Sequence, residues 1–407
     1  MKERALKQLT RFCLSCIRSD RWPLVLAIAG TLLRLALIAG TRNHERFYDE
    51  QDYDNIGTSI AHGLGFKNVT YYTAYRAPGQ TVFIGLIYAI FGHHPIVVEI
   101  AEALLLAVLP FVCAWLGRAL GLSPLAANLG ATLAAFHPVL AYASTTIYPT
   151  ALTAVGLTVG VWWCWQAMQR DSAWRAVAGA IAFGIAGAAT TTFAPVAFLA
   201  AIAIAVKKHF KIAVIVLIVG TTPAVAWMTR NELVLHDFAL ATNGGQNLEL
   251  GANDQATPRS GNWVEITGDP TKGEVHLDHE EQTKAKAWIR AHPGRYARLF
   301  VLRAIAVFDS EGRPRTQGLQ LGLLAHIVAD SLLPIMILGL LGLFIYRRHV
   351  LTWLTVAGLS LVVLSSAATI AKPRFRLPCD PLLCVFAVGG AVAIVRRSLT
   401  PVDAAGE

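Results

Sequence analysis

An acidic segment at residues 48–54 carries the side chains best suited to acid–base chemistry. It reads Tyr-Asp-Glu-Gln-Asp-Tyr-Asp, so four carboxylates fall within six residues. A carboxylate that stays ionised beside a cation can act as a general base toward a hydroxyl group. Several carboxylates together can hold a divalent cation through oxygen ligands. The solvated start of an acidic helix has the same composition, so these interpretations stay open at this point.

Two basic segments could bind an anionic group. Arg76 stands between Tyr75 and a Pro-Gly pair, and a guanidinium binds phosphate through its planar fork. The segment 372–378 reads Lys-Pro-Arg-Phe-Arg-Leu-Pro and places three cations within five residues. Arg76 could instead anchor the chain at a membrane interface, and the later cations could contact anionic lipid headgroups.

Glycine and asparagine dominate residues 242–254. This composition predicts irregular backbone that adopts positive φ and approaches a ligand closely. The amides of Asn243, Gln246 and Asn247 would suit the hydroxyl groups of a sugar, although a plain turn has the same composition.

The elements that must position these segments are membrane spans. The chain has 407 residues, of which 55% are hydrophobic and 15% are charged, and its mean hydropathy is +0.49. A soluble domain carries about 25% charged residues, so this composition excludes a soluble protein. Apolar blocks long enough to cross a bilayer alternate with short polar breaks. They predict about ten spans, at 23–40, 97–117, 124–142, 148–168, 174–190, 193–206, 211–229, 321–346, 350–370 and 377–395.

The formal charge of +9 is concentrated in short connections between the predicted spans. Basic connections of this kind belong on the cytoplasmic side. With the amino terminus in the cytoplasm, both termini lie inside and both long polar regions fall on the outer side. The predicted organisation is a transmembrane module at 1–229 with a first outer loop at 41–96, an outer loop or lid at 230–320, and a second transmembrane module at 321–407. The segment 174–206 could be one span or two, and no nucleic-acid motif is present.

The outer loops contain helical patterns of their own. Residues 52–63 have an amphipathic rhythm that ends at Gly-Leu-Gly, which predicts a short helix. Residues 80–91 are apolar but too short to span, and they predict a helix that lies at the interface. A further amphipathic helix is predicted near 281–291. The fold class expected is therefore an all-α polytopic membrane protein of about ten transmembrane helices, with outer-face interfacial helices and a small outer loop region.

The order of these segments resembles that of the membrane glycosyltransferases of the C-type superfamily. The closest resemblance is to bacterial relatives of the protein O-mannosyltransferases and of the transferase that adds aminoarabinose to lipid A. Asp49, Glu50 and Tyr53 match an Asp-Glu-x-x-Tyr element in the first outer loop of that family. Arg76 with the following Pro-Gly matches an Arg-x-Pro-Gly element.

Three later segments continue the resemblance, which covers about residues 20–395. Residues 243–253 are similar to a Gly-Gly-x-Asn…Gly-Asn stretch, residues 287–296 to a helix before the later spans, and residues 374–378 to a terminal Arg-aromatic-Arg-x-Pro element. Two positions depart from the family pattern. Gln80 stands where relatives often carry tyrosine, and the turn at 189–195 lacks the arginine usually found before its proline.

The resemblance implies an inverting glycosyltransferase that moves a hexosyl or pentosyl group from a polyprenyl-phosphate donor at the outer face of a bacterial inner membrane. The acceptor would be a lipid, a glycan or a protein, and membrane lipids would surround the enzyme. A divalent cation is compatible with the acidic segment but is not required. The alternatives are a transporter or flippase, or a ligase, of lipid-linked glycans.

The same resemblance implies a role for each matching residue. Asp49 would be the base, with Glu50 beside it in the catalytic pair. The residues implied to bind the donor phosphate are Arg76, Arg374 and Arg376. Those implied to bind the substrate are Tyr53, Tyr75, Asn243, Gln246 and Asn247.

Overall fold

The computed structural model describes residues 14–41, 49–69, 71–258, 273–309 and 332–399. Within these residues the chain is built from α-helices and one two-stranded hairpin. The helices are α1 (Trp22–Thr41), α2 (Asp49–Ala61), α3 (Pro78–Phe91), α4 (Pro95–Leu106), α5 (Leu109–Ala119), α6 (Pro124–Ala135), α7 (Pro138–Ala143), α8 (Thr150–Arg170), α9 (Ala173–Ala189), α10 (Val196–Val206), α11 (Phe210–Leu235), α12 (Gly244–Gly251), α13 (Glu274–Ala291), α14 (Pro293–Ala306), α15 (Leu332–Ile345), α16 (Val350–Ala368) and α17 (Asp380–Leu399). The strands are β1 (Lys67–Asn68) and β2 (Tyr71–Tyr72), and two 3₁₀ segments occur at Thr191–Phe193 and Pro373–Cys379.

Six segments among the described residues are helical, long and apolar enough to cross a bilayer. They are Trp22–Thr41, Pro95–Ala119, Thr150–Arg170, Phe210–Leu235, Val350–Ala368 and Pro373–Arg396. Shorter apolar helices are Pro78–Phe91, Ala173–Ala189, Thr191–Val206 and Leu332–Ile345. The helical membrane fold is thus confirmed, but the count of about ten spans is not.

The predicted spans differ from the helices at three places. The span expected at 97–117 contains a short break at residues 107–108, between α4 and α5. The span expected at 124–142 is interrupted between α6 and α7, where Pro138 begins a new helix and cannot donate a backbone hydrogen bond to the preceding turn. Of the span expected at 321–346, the structure describes only the part from Leu332, and the residues before it lie outside the described ranges.

Small residues bring the membrane helices close together. Helix α8 packs along α9, and α15 packs along α17. A Cβ added at Gly179 would lie 2.7 Å from Sγ of Cys164, so the two backbones approach as only glycine allows. Bundles in lipid rely on such close packing because hydrocarbon offers little hydrophobic drive between helices.

Helices α2 and α3, which fall in the segment 41–96, pack against each other, and the acidic side chains lie at the start of α2. Helix α2 begins at Asp49, three residues earlier than predicted, so Asp49, Glu50 and Asp52 fall in its first turn. The partial positive charge of a helix amino terminus stabilises carboxylates there. Helix α3 begins with Pro78 in its first turn, where a missing backbone N–H costs nothing.

The irregular backbone expected at 242–254 is largely helical instead. Helix α12 occupies its centre, and the glycines with positive φ among the described residues do not include Gly244, Gly245 or Gly251. The glycines serve close packing, since a Cβ at Gly245 would overlap the backbone of Asp278. The helix expected near 281–291 is α13 and begins earlier, at Glu274.

The described part of the predicted lid is fastened to the rest of the fold by buried polar contacts. Arg303 of α14 is fully buried and donates to the carbonyl of Gly251 at 2.7 Å. The hydroxyl of Tyr296 donates to the carbonyl of Ala368 at the end of α16, at 2.8 Å. Helix α14 therefore packs against the carboxyl-terminal end of α16 and holds α12, which in turn packs along α13.

Candidate active site

Asp49 stands at the centre of a cluster that draws on three distant parts of the chain. Its Oδ1 accepts from Nη2 of Arg76 at 2.8 Å, and its Oδ2 accepts from the hydroxyl of Tyr148 at 2.6 Å. Nη2 of Arg374 lies 3.8 Å from the same Oδ2. The side chain of Asp49 remains 30% exposed. A carboxylate held in a fixed direction, yet open to the outside, meets the geometric needs of a general base.

The surroundings of Asp49 favour its charged form. Burial raises the pKa of this carboxyl, but the charge of Arg76, the hydrogen bond from Tyr148 and the charge of Arg374 act against burial. The net pKa is lower than the usual value for aspartate. Asp49 is therefore ionised at neutral pH and can accept a proton.

Arg76 joins the first turn of α2 to the start of α3. Its Nη2 also donates to Oδ2 of Asp52 at 2.7 Å, and its Nε donates to the same oxygen at 3.0 Å. The guanidinium lies 4.7 Å from the ring centroid of Tyr75 and 5.4 Å from that of Tyr53. Burial lowers the pKa of Arg76, but the surrounding tyrosines and carboxylates raise it above its usual value. The arginine is thus a fixed cation in the wall of the site.

Of the four acids of the segment, Asp49 and Asp52 share Arg76, whereas Glu50 and Asp54 have other surroundings. Glu50 is buried, with 4% exposure, and does not share the open position of Asp49. Asp52 is bound by Arg76 and by the amide of Asn68, at 3.0 Å for the amide. Asp54 accepts from the hydroxyl of Tyr88 at 2.5 Å. Among the described residues, no group of three or more histidine, cysteine or acidic side chains is arranged to hold a metal ion.

Arg374 and Arg376 lie in the same 3₁₀ segment but face different surroundings. The guanidinium of Arg374 lies over the ring of Tyr148, 5.2 Å from its centroid, and the side chain is 20% exposed. Arg376 is 3% exposed, and its Nε donates to Oδ1 of Asp380 at 2.8 Å. Its Nη2 lies 3.4 Å from the other oxygen of Asp380, and its Nη1 donates to the carbonyl of Val307 at 2.5 Å. Arg374 therefore faces the cluster around Asp49, whereas all three nitrogens of Arg376 are already engaged inside the protein.

Tyr75 connects the first outer loop to the segment after α11. Its hydroxyl donates to Oε1 of Gln246, and its carbonyl accepts from Nδ2 of Asn243 at 2.8 Å. Asn247 turns back to its own segment and donates to the carbonyl of Asn243 at 2.8 Å. The structure therefore brings Tyr75, Asn243 and Gln246 together.

Tyr53 lies on the inner side of the cluster. It is 5% exposed, and its ring packs edge-on against that of Tyr148, with the centroids 5.6 Å apart. Burial raises the pKa of its hydroxyl to about 12. Tyr53 therefore supports Tyr148 and Arg76 as a neutral side chain.

Three residues with polar roles were missed by the reasoning from sequence. Tyr148 was placed at the start of a predicted span, although the structure puts it in the connection before α8. No feature of the sequence singled out Asp380, because its partners are either distant in the sequence or part of a basic motif. Glu274 accepts from the hydroxyl of Thr73 at 2.7 Å, and the two residues are 201 positions apart.

No protein-family model matches this chain, and no curated protein matches it. Among solved structures, the chain is similar to the apo oligosaccharyltransferase of Archaeoglobus fulgidus, with 12% identity and a TM-score of 0.50. The match covers 93% of this chain and 51% of that enzyme, so this chain spans about half the length of its neighbour. The fold that the motifs led us to expect is confirmed by this likeness.

Two further structures lie below that level of similarity. One is the same archaeal enzyme, AglB, in complex with an inhibitory peptide and a dolichol-phosphate, with 12% identity and a TM-score of 0.46, covering 96% of this chain and 53% of that one. The other is ArnT from Cupriavidus metallidurans bound to undecaprenyl phosphate, with 15% identity and a TM-score of 0.43, covering 94% of this chain and 82% of that one.

Proposed function

We propose that this chain is a membrane glycosyltransferase that moves a sugar from a polyprenyl-phosphate donor to an acceptor at the outer face of the membrane. One observation carries the proposal. A partly exposed, ionised Asp49 is held by Arg76 and Tyr148 beside the cation Arg374. This cluster belongs to a fold similar to that of an oligosaccharyltransferase.

Asp49 acts as the base in this proposal. The carboxylate takes the proton of the acceptor hydroxyl as the acceptor oxygen forms a bond to the anomeric carbon of the sugar. The bond from that carbon to the phosphate oxygen breaks, and the polyprenyl phosphate leaves with the electron pair. Attack on the face opposite the leaving group makes the transfer inverting. Glu50 is 4% exposed, so we assign the proton to the more open Asp49.

Arg374 stabilises the negative charge that develops on the departing phosphate. It is fixed by the Tyr148 ring and remains partly exposed, so it can meet an anion at the mouth of the site. A preorganised donor of this kind contributes about 2.7–4 kcal/mol to the transition state in oxyanion sites. Arg76 adds a second positive charge nearby. We assign Arg376 a different role, which is to anchor the 3₁₀ segment through Asp380.

The neighbouring polar side chains form the sugar-binding side of the site. Tyr75 contacts Gln246 beside Arg76, and Asn243 and Asn247 lie on the same segment as Gln246. Hydroxyl and amide groups in this position suit the hydroxyls of a hexose or pentose. Because the basic connections are expected in the cytoplasm, we place both termini there and the site toward the periplasm or exterior of a bacterial inner membrane.

Transfer by purified protein tests the proposal. The protein is reconstituted in nanodiscs with a polyprenyl-phosphate donor that carries a radiolabelled sugar and a mixture of candidate acceptor lipids, glycans and peptides. We expect label to pass from the donor to an acceptor, and we expect Asp49→Asn to stop this transfer. Asp54→Asn is the matched control, because it removes a carboxylate of the same helix that faces Tyr88 instead. Label that crosses a proteoliposome membrane while still attached to its lipid would identify a flippase and overturn the proposal.

A further inference from the structure

Gln80 is a fully buried polar side chain that the proposed mechanism does not use. It lies in the first turn of α3, four residues after Arg76. Its Nε2 donates to Oε1 of Glu102 at 2.7 Å and to the carbonyl of Ile147 at 2.9 Å. This single amide therefore joins three segments: the start of α3, the helix α4, and the connection before α8.

The Ile147 carbonyl belongs to the residue directly before Tyr148. Arg76 and Tyr148, which both bind Asp49, therefore belong to segments that the Gln80 amide joins. Arg76 lies just before α3, and Tyr148 directly follows Ile147. The connection between α7 and α8 contains no described helix or strand of its own. The buried side chain of Ile147, the ring contact of Tyr148 with Tyr53 and a hydrogen bond from the Thr150 N–H to the Tyr148 carbonyl also hold this connection. The bond from Gln80 is the contact among these that links it to α3 and α4.

The chemistry of the amide fixes its orientation. Nε2 faces an oxygen of the Glu102 carboxyl group and the carbonyl oxygen of Ile147. The carbonyl can only accept, so a reversed amide would place its own oxygen against it. Glu102 is fully buried, and a hydrogen bond in such a dry place is both stronger and more costly to lose than one in water. Oε1 of Gln80 and Oε2 of Glu102 have no hydrogen-bond partner among the described residues, so Nε2 makes the connection alone.

We propose that Gln80 and Glu102 are positioning residues that hold the hydroxyl of Tyr148 against Asp49. This inference rests on the proposed function, because it takes Asp49 as the base. The charged and titratable groups that face Asp49 are Arg76 and Asp52 from the first outer loop, Arg374 from the 3₁₀ segment, and the hydroxyls of Tyr148, Tyr53 and Tyr75. Of these groups, Tyr148 is the one that directly follows the carbonyl bound by Gln80.

Kinetics of Gln80→Leu give the first test. The leucine keeps the volume but cannot hold Ile147, so Tyr148 loses its place. We expect kcat to fall about tenfold, the factor for one hydrogen bond to a charged group, with little change in KM for the donor. Because Tyr148 lowers the pKa of Asp49, we also expect the acidic limb of the pH profile to move to higher pH. An unchanged acidic limb would overturn the inference.

Two variants of Glu102 separate hydrogen bonding from charge. Glu102→Gln keeps an oxygen that accepts from Nε2, so we expect nearly wild-type kcat and an unmoved acidic limb. Glu102→Leu removes the acceptor and should behave like Gln80→Leu. If Glu102→Gln is as impaired as Glu102→Leu, charge rather than positioning is the cause, and the inference fails.

Asn128→Leu is the matched control for the loss of a buried amide. The amide nitrogen of Asn128 donates to the carbonyls of Ile17 at 2.6 Å and Ser19 at 3.0 Å, far along the chain from Asp49. This variant should lose thermal stability without moving the acidic limb. A shift as large as that of Gln80→Leu would show that general destabilisation, not the Tyr148 anchor, moves the profile.

A readout without catalysis distinguishes failure of this inference from failure of the proposed function. The carboxylate band of Asp49 is followed by infrared spectroscopy as a function of pH and is assigned by its absence in Asp49→Asn. We expect the titration to move to higher pH in Gln80→Leu and in Tyr148→Phe, with no further shift in the double variant. A protein that transfers no sugar would refute the proposed function and leave this titration informative. An unmoved band in Gln80→Leu would overturn the anchor alone.

Discussion

Replacing Arg374 and Arg376 one at a time tests whether Arg374 acts in the transfer reaction and Arg376 in the stability of the fold. Arg374→Gln removes a cation that is 20% exposed and 3.8 Å from Asp49. We expect kcat to fall about 100- to 1000-fold, which corresponds to about 2.7–4 kcal/mol of lost transition-state stabilisation. Stability should change little, because a partly exposed pair contributes at most about 1 kcal/mol.

Arg376→Leu should have the opposite profile. Asp380 is fully buried, and the substitution removes the arginine that binds both of its oxygens, leaving His137, whose Nε2 lies 3.3 Å from Oδ2. Breaking a buried pair from one side costs about 3–5 kcal/mol, a large part of the stability of a typical protein. The double variant Arg376→Leu with Asp380→Leu removes both charges and should recover most of that loss.

The assay combines thermal unfolding with transfer kinetics over a range of donor concentrations, on the same preparations in nanodiscs. The expected result is a normal unfolding temperature with poor transfer for Arg374→Gln, and a lowered unfolding temperature for Arg376→Leu that the double variant restores. If Arg376→Leu unfolds at the wild-type temperature but uses the donor poorly, Arg376 contacts the phosphate directly. That result would refute its role as an anchor of the 3₁₀ segment. Unchanged kinetics in Arg374→Gln would refute the role given to that residue.

Three further variants test other parts of the account. Tyr148→Phe removes the hydroxyl that lowers the pKa of Asp49, so activity, which needs the ionised base, should begin to fall at a higher pH on acidification; a pH series of kcat/KM measures this. Gly245→Ala places a methyl group against the backbone of Asp278 and should cost about 1–3 kcal/mol in thermal or denaturant unfolding. A cysteine at the exposed Gln255 should react with an impermeant reagent added outside, whereas one at the exposed Lys207 should not; labelling of both from one side would contradict the orientation.

The membrane fold was readable from sequence because it depends on bulk properties. Hydrophobic blocks and their spacing predicted most of the helices, including α1, α8, α11 and α16, to within a few residues. The number of spans was harder to predict, because apolar length alone does not say whether a helix continues. Inside a single hydrophobic block, α6 ends at Ala135 and α7 begins at Pro138.

The acidic and basic segments of the site could also be predicted, because such charges are unusual on the side of the membrane that the basic connections predict to be outer. The sequence did not predict which basic side chain contacts which acidic one. Arg374 and Arg376 are equivalent in the motif, yet one faces Asp49 and the other is buried against Asp380. Arg374 contacts a residue distant in the chain, whereas Asp380 follows Arg376 by only four residues, so the motif alone did not show which arginine would be buried.

The glycine-rich stretch shows a second limit. Glycine permits positive φ, but it equally permits two backbones to touch, and composition cannot separate these uses. In α12 the second use applies, as Gly245 packs against α13. Tyr148 was missed for a related reason, since a tyrosine at the edge of an apolar block is typical of any membrane interface.

The central claim is that Asp49 is the base for sugar transfer, and single-turnover transfer by Asp49→Asn tests it most directly. The variant keeps the shape of the side chain and loses its charge, so protein amount, thermal stability and donor binding should match those of the wild type. We expect that donor stays bound while no labelled sugar reaches the acceptor, whereas Asp54→Asn turns over at a rate close to that of the wild type. Transfer by Asp49→Asn at the wild-type rate would contradict the claim.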